Sequence, residues 1–300
     1  MKKIYIDGSN LIHRSHWVSK ISNVSSLHIF LGSIKKYATM FDTTDMYIAW
    51  DGRRDPSKLN FRHELLGSKY KGTRDKEKNY EAFKNVDHAD RLTSCLGIAN
   101  LYPSTLEADD IIAWLCDKFK DDQSIVISTD KDMLQLVSDN VTVYNPTKDI
   151  QITPHNFLDV VGVELKLFVK HKAITGDKSD NISGIPKAGP KRASIILEKG
   201  VDKLSSEHAD IYERNLKLID LNYSLQHNTE ECEYLTQHVS DVIKNKTVNM
   251  KEFENGAKYF NLISVMKRIN EWKDMFDGEQ VNQTIDNMIT GIDFLEGFDK

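Results

Sequence analysis

The sequence predicts an α/β protein with a mostly parallel central sheet flanked by helices, followed by a helical region. Short apolar runs alternate with helical apolar spacing through the first half of the chain, and strand signals cease after about residue 152. Strands that alternate with helices build parallel sheets with helices on both faces. We therefore expect an α/β core over residues 1–152 and a helical region over residues 153–300.

The individual elements follow from local patterns. Buried or β-branched runs predict strands at KKIYI (2–6), MYIAW (46–50), SIVIS (124–128) and VTVY (141–144). Apolar spacing predicts helices over 24–41, 107–119 and 208–221. Thr153 followed by Pro154 is a typical helix start. Residues 67–98 are polar and weakly periodic, which is typical of a functional loop inserted into a domain.

Composition indicates an ordinary soluble protein. The three cysteines, Cys95, Cys116 and Cys232, form no C-x-x-C pair, so neither a disulfide framework nor a zinc site is expected. No apolar run approaches the roughly 20 residues of a membrane span. The first residues hold too few apolar side chains for a secretory signal. We expect a cytoplasmic protein without a membrane partner, located in the host cytoplasm if the source is a bacteriophage.

The charge is unevenly distributed. The formal net charge is −5, yet residues 53–84 hold ten Lys or Arg against five Asp or Glu. Residues 186–203 hold five basic side chains against two acidic ones. Since local charge matters more than the sum, these two basic segments are compatible with a nucleic-acid partner.

Nine carboxylates are expected to share one edge of the sheet. They fall past strand ends or in short acidic clusters: Asp7, Asp51, Glu107, Asp109, Asp110, Asp130, Asp132, Asp177 and Asp180. Like charges a few Å apart raise each other's pKa, so the acids require cations between them. Two hard divalent ions about 4 Å apart would suit oxygen ligands and would clamp a phosphodiester. Taken singly, each cluster also fits a helix cap or a turn.

Two basic motifs accompany the acids. In YKGTRD, Lys71 and Arg74 could address one phosphate, and Tyr70 could stack on a base or belong to the core. In GIPKAGPKRASIIL, a tight turn precedes a helix that starts near Pro190. Its N-terminal amides, with Lys191 and Arg192, could hold a DNA phosphate without reading sequence. The alternative for YKGTRD is a solvated basic face. The alternative for GIPKAGPKRASIIL is a routine corner where two helices pack.

The order of these motifs resembles the 5′-nuclease family of bacteriophage flap endonucleases, RNase H proteins and the 5′-nuclease domain of bacterial DNA polymerase I. YIDGSNLIHR, YKGTRD, LEADD, STDKD and GDKSDN carry the resemblance, which spans Asp7 to about residue 200. It implies a PIN-like core with a helical arch at about 67–98 and a helix–three-turn–helix DNA-binding region at about 175–200. It also implies a monomeric, metal-dependent hydrolase acting on 5′ flaps, nicks and RNA/DNA hybrids during replication.

The resemblance also implies roles for residues. Asp7, Asp51, Glu107 and Asp109 would serve a first Mg²⁺, for which Mn²⁺ is a plausible substitute. A second Mg²⁺ would bind to Asp132, Asp177 and Asp180, with Asp110 and Asp130 near both ions. Lys71 and Arg74 would contact the scissile phosphate. The helix–three-turn–helix turn would bind K⁺, although Lys187 replaces one of the two glycines that the family commonly has there and only Gly189 remains. Lys187 would add a phosphate contact.

Two other functions remain open on the sequence. A PIN-like ribonuclease shares an acidic sheet edge but normally lacks the GDKSDN and GPKRA segments. A DNA-binding module without catalysis would lack some of the carboxylates. The tail at 278–300 carries five acids and one lysine with apolar residues at helical spacing. It is expected either to pack on the body or to dock a replication partner such as a single-strand-binding or clamp protein.

Overall fold

The computed structural model describes residues 1–51, 61–72, 76–102 and 105–277. Its centre is a six-stranded sheet in the order β3-β2-β1-β4-β5-β6, parallel except for β6. The strands are β1 (Lys2–Asp7), β2 (Met46–Ala49), β3 (Ala99–Leu101), β4 (Gln123–Ile127), β5 (Val141–Asn145) and β6 (Ile150–Ile152). The α/β class and all four predicted strands are confirmed.

Helices connect the strands and cover both faces of the sheet. In the core these are α1 (Gly8–Ser22), α2 (Ser26–Phe41), α3 (Phe61–Leu66), α4 (Lys76–Phe83), α5 (Val86–Cys95) and α6 (Ala108–Lys118). The predicted helices over 24–41 and 107–119 correspond to α2 and α6. The expected polar insertion at 67–98 contains α4 and α5, and α5 buries Ala89, Leu92 and Thr93 against the body.

After β6 the described part of the chain, through residue 277, is mostly helical. The elements are α7 (Phe157–Val161), α8 (Phe168–Thr175), a small hairpin of β7 (Gly176–Asp177) and β8 (Ile182–Ser183), α9 (Pro190–Lys199), α10 (Ser206–Ile219), α11 (Leu221–His227), α12 (Thr229–Lys244), α13 (Met250–Tyr259), α14 (Ile263–Lys267) and α15 (Ile269–Phe276). The predicted start at Thr153 is wrong, because Asn156 Oδ1 accepts from the Thr153 amide and holds a turn there. The helix begins at Phe157.

The C-terminal helices complete the hydrophobic cores of the sheet. On one face, Phe253 of α13 and Trp272 of α15 join the α2 side chains Phe30 and Ile34. On the other face, Leu235 and other α12 residues join the apolar side of α6. Full burial of a large apolar side chain contributes roughly 1.5–3 kcal/mol, so these helices stabilise the sheet directly. No described helix is long and apolar enough to cross a membrane.

Strand register brings the functional segments to one edge. Asp7, the last residue of β1, pairs with Ala49 of β2, and Ile6 pairs with Ile127 of β4. The residues after β2 and β4 therefore emerge beside Asp7. Because the strands are parallel, side chains far apart in sequence meet at their carboxyl ends.

Candidate active site

Asp7 lies at the centre of this edge and is crowded by other acids. Its carboxylate caps α1 by accepting from the Asn10 amide at 2.9 Å, and it accepts from Ser128 Oγ at 2.9 Å. Burial, together with the charges of Asp51 and Asp130, raises the pKa of Asp7 to about 7. The raised pKa marks a place where a cation would be stabilised.

Asp51 joins β2 to the acidic helix α6. Its amide donates to Ser9 Oγ at 2.9 Å, and its carboxylate accepts from the Ala108 amide at 3.1 Å. This contact holds Asp51 at the N-terminus of α6, where unpaired amides favour negative charge. Next to it, burial and the charge of Asp110 raise the pKa of Asp109 well above its usual range.

Glu107 is neutralised by side chains from the YKG segment. It is buried, and it accepts from Tyr70 Oη at 2.7 Å and from Lys71 Nζ at 2.7 Å. Burial alone would raise the pKa of Glu107, but Lys71 and Arg62 outweigh it and lower the pKa. In return, and against the effect of burial, Glu107 raises the pKa of Lys71 to about 12. Lys71 is thus a cation held inside the acidic site.

Asp110 is held by a buried arginine that the sequence reasoning missed. Arg62 Nη1 and Nη2 donate to its two carboxylate oxygens at 2.7 and 2.8 Å. Arg62 and Asp110 are 1% and 0% exposed. Asp110 also accepts from the Glu107 amide at 3.0 Å, which closes a capping box on α6. Asp110 is therefore buried against Arg62, and its expected role near both ions stays a prediction. Its place on the apolar side of α6 was a signal that it needed a buried partner.

A second missed cation lies among the remaining acids. Lys172 of α8 forms ion pairs with Asp132 and, at 2.5 Å, with Asp177. Burial opposes ionisation of Asp177, but Lys172 and hydrogen bonds from Ser179 lower its pKa to about 2. Asp130 is exposed and accepts from the Asp132 amide at 2.9 Å. Lys172 precedes Asp177 by five residues in the sequence, but nothing there showed that it faces the site.

Two hydrogen bonds to backbone carbonyls join the two acidic groups. The Lys71 amide donates to the Asp180 carbonyl at 3.1 Å, and Asn181 Nδ2 donates to the Lys69 carbonyl at 2.8 Å. The YKG segment is thereby fixed to the GDKSDN turn. Lys71 consequently stands between Glu107 and the Asp177–Asp180 turn.

The segment from α8 to α10 forms a separate small core. Ala173, Ile174, Ile185, Ala193 and Tyr212 pack together between α8, α9 and α10. Gly184 is required by close packing, since a Cβ there would lie 2.3 Å from the Thr175 carbonyl carbon. The α9 helix begins at Pro190, as predicted.

The turn before α9 presents its basic residues to solvent. Lys187, Gly189, Lys191 and Arg192 are all exposed. Lys187 has φ of +61°, a left-handed conformation that favours glycine. Gly189 itself is extended, with φ of −70° and ψ of 176°. The position where the family commonly has a further glycine thus has a backbone that glycine suits.

Two assignments change once the side chains are placed. Tyr70 is 4% exposed and donates to Glu107, so it belongs to the core and its ring is not available to stack on a base. The acids were expected to require only metal cations, but Arg62, Lys71 and Lys172 already neutralise several of them. In the described ranges, no three His, Cys, Asp or Glu side chains are arranged to hold one metal ion. Arg74 lies outside the described residues.

Comparison with known proteins identifies the family. Residues 2–162 match the family model of the 5′-3′ exonuclease N-terminal resolvase-like domain. In an alignment of 310 positions, the chain is 33% identical to a 5′-3′ exonuclease of Mycoplasmopsis pulmonis. The alignment covers 98% of this chain and 97% of that protein. It is 28% identical to the flap endonuclease Xni of Shewanella sediminis, covering 74% and 89% of the two chains.

A solved structure shares the architecture. The bacteriophage T5 flap endonuclease, in a pseudo-enzyme-product complex with DNA and metal ions, aligns with a TM-score of 0.69 at 23% identity. The alignment covers 81% of this chain and all of that one. This likeness establishes the shared fold. The family match and the curated relatives establish that the chain belongs to the 5′-3′ exonuclease family of structure-specific 5′ nucleases, which are hydrolases.

Proposed function

We propose that this nuclease removes 5′ flaps, and RNA or DNA from 5′ ends, during replication. The observation that best supports the proposal is the crowding of buried carboxylates at the strand ends, where burial and the charges of Asp51 and Asp130 raise the pKa of Asp7 to about 7. Such an edge favours bound cations and suits phosphodiester hydrolysis. The complete set of nine acids argues against a non-catalytic DNA-binding module. The α8–α10 segment argues against a PIN-like ribonuclease.

The chemistry of the donor set suits divalent metal ions, although in the described ranges no three of these side chains converge on one point. We therefore propose that the carboxylates paired with Lys71 and Lys172 rearrange when metal binds. Asp7, Asp51, Glu107 and Asp109 are proposed for one Mg²⁺, and Asp132, Asp177 and Asp180 for another, with Mn²⁺ as a substitute. Asp130, which is exposed beside Asp132, could serve either. All donors are carboxylate oxygens, which suit hard cations. When bound, these ions would polarise the phosphate and supply a nucleophilic hydroxide at neutral pH.

The chain's own cations would change partners when substrate binds. Lys71 Nζ contacts Glu107, and Lys172 Nζ contacts Asp132 and Asp177. Both ammonium groups could turn to the scissile phosphate once its negative charge enters the site. Lys71 and Arg74 are proposed to stabilise charge that develops on that phosphate as water attacks it. Lys172 is a further candidate for this role.

The turn before α9 is proposed to grip duplex DNA. Lys187, Lys191 and Arg192 are exposed around the N-terminus of α9, where free amides favour a backbone phosphate. Such contacts position the duplex without reading its sequence. The same turn is the proposed K⁺ site. Proposed partners are therefore flapped or nicked DNA and RNA/DNA hybrids, bound by a monomer in the cytoplasm. The tail at 278–300, where a replication partner could dock, lies outside the described residues.

Cleavage of labelled substrates tests the proposal. Flap, nicked and RNA/DNA hybrid substrates with a 5′ label would be incubated with and without Mg²⁺. Cleavage of the flap substrate is expected only with Mg²⁺, and Asp109→Asn should nearly abolish it. Asp117→Asn is the matched control, because Asp117 is an exposed acid on the same helix. Equal activity without divalent metal, or an active Asp109→Asn variant with Mg²⁺, would contradict the proposal.

A further inference from the structure

We propose that the end of α10 is a brace that sets the spacing between Asp132 and the Asp177–Asp180 turn. The brace consists of residues 215–221, which are the last turns of α10 and the first residue of α11. Asn215 and Gln135 are the positioning residues that attach it to the two acidic segments. The inference rests on the proposed function, since these segments carry the donors proposed for the second metal ion. None of the nine site carboxylates belongs to the brace.

Asn215 attaches α10 to the hairpin that carries Asp177. Its side chain is fully buried, and Nδ2 donates to the Ala173 carbonyl at 2.8 Å and to the Ser183 carbonyl at 2.9 Å. Ala173 lies in the last turn of α8, and Ser183 is the last residue of β8. The acids of the turn lie between these two carbonyls, within residues 174–182. One side-chain amide therefore holds both ends of the segment that carries them.

Gln135 attaches the same helix to the segment of Asp132. It lies three residues after Asp132, within the short 3-10 helix Asp132–Leu136. Its Nε2 donates to the Ile219 carbonyl at 3.1 Å, and its Oε1 accepts from the Leu221 amide at 3.0 Å. Ile219 ends α10 and Leu221 begins α11, so neither backbone group has a partner within its own helix. A glutamine supplies both the donor and the acceptor that this corner needs.

A third contact brings the acidic helix α6 to the brace. Arg62 Nε donates to the Leu218 carbonyl at 3.0 Å, while its two terminal nitrogens donate to Asp110. The Leu218 and Ile219 carbonyls are adjacent in the chain, and they bind to side chains from two different acidic segments. Three acidic segments that are distant in sequence thus meet on one short stretch of helix.

The brace fixes backbone positions and not the partners of the carboxylates. A helix rises about 1.5 Å per residue, so Asn215 and Ile219 are held about 6 Å apart along the axis. The side chains of Asp132 and Asp177 pair with Lys172, and they can exchange that cation for a metal ion without movement of either backbone. Contacts that orient metal ligands from outside typically contribute about 10- to 100-fold to metal affinity. The brace is expected to contribute in this way.

Binding of Mn²⁺ in the absence of substrate tests the brace. The EPR signal of unbound Mn²⁺ during a titration measures affinity and stoichiometry independently of cleavage. Gln135→Met keeps the length of the side chain but removes both amide contacts. It should weaken binding of one of two Mn²⁺ ions about tenfold and leave the other unchanged. Asn215→Leu should do the same. If the buried Asn215→Leu variant does not fold, the half-buried Gln135 decides the question. Unaltered Mn²⁺ affinity in Gln135→Met would overturn the proposal.

Leu216→Ala is the matched control. The Leu216 side chain packs against the small core of α8, α9 and α10, next to Asn215, and makes none of the polar contacts of the brace. Leu216→Ala should lower the Tm but leave both Mn²⁺ affinities unchanged. If it weakened Mn²⁺ binding as much as Gln135→Met, general loosening would explain both results and the proposal would be wrong. Absence of both Mn²⁺ binding and cleavage in the unmodified protein would instead refute the proposed function.

Discussion

Replacement of Arg62 by methionine should destabilise the metal-free protein severely. Methionine keeps an unbranched apolar side chain but removes the guanidinium. The Arg62 group donates to both Asp110 oxygens at 2.7 and 2.8 Å and, through Nε, to the Leu218 carbonyl at 3.0 Å. Arg62 therefore joins the acidic helix α6 to the end of α10. Its loss would leave a fully buried carboxylate without its main counter-charge.

The magnitude follows from burial. Removing one partner of a buried ion pair costs about 3–5 kcal/mol, because the remaining charge is uncompensated. Domains have unfolding free energies of roughly 5–15 kcal/mol, so this loss is a large part of the total. Adding Asp110→Asn should recover much of it, since asparagine removes the stranded charge and can still accept from the Glu107 amide. The double variant should therefore be more stable than Arg62→Met alone.

Denaturation by urea, with EDTA at neutral pH, would measure these free energies in a double-mutant cycle. Near-wild-type midpoints for Asp117→Asn would control for loss of an acid elsewhere on α6. A loss under about 1 kcal/mol for Arg62→Met would refute the reasoning, since exposed pairs have that value. Strictly additive effects of the two substitutions would refute it as well, because they would show that the two side chains do not interact.

Three further outcomes are expected. Because the folded pKa of Asp7, about 7, exceeds its ordinary value of 3.8, metal-free stability should fall as the pH rises from about 4 through 7. Asp7→Asn should remove the part of this loss that Asp7 contributes, while Asp109, whose pKa is also raised, keeps its own part. The advantage of Asp7→Asn over wild type should grow by roughly 4 kcal/mol between pH 4 and pH 8, as measured by denaturation, and an advantage independent of pH would contradict the assignment. Lys71→Ala should lower kcat far more than DNA affinity, whereas Lys191→Ala should raise Kd and reduce the salt slope by about one ion; identical kinetic signatures would contradict the proposed division between chemistry and grip. Lys187→Gly should relieve a left-handed backbone and stabilise the protein by roughly 0.5 kcal/mol, after subtraction of the entropy that glycine adds to the unfolded chain. The urea midpoint should therefore rise, and a midpoint below that of wild type would contradict the prediction.

Local patterns determined much of the fold. The sequence predicted the alternation of strands and helices, the start of α9 at Pro190 and a helix over 208–221, which is α10 (Ser206–Ile219) in the structure. Each of these depends on residues close in sequence. The placement of Asp7 and Asp51 at one edge followed from strand direction alone. Local patterns did not predict the short or weakly patterned elements. The strand β3 has three residues without β-branching, and α5 acquires its order from packing against the body.

The sequence by itself determined which acids could form a site, and the tertiary structure decided which cations neutralise them. Arg62 reaches Asp110 across 48 positions and Lys172 reaches Asp132 across 40, so spacing along the chain could not reveal either pair. The same holds for Tyr70, whose burial depends on Glu107 and on the helices around it. Charge compensation in a buried site is set by distance in space, and only the packed chain fixes that distance.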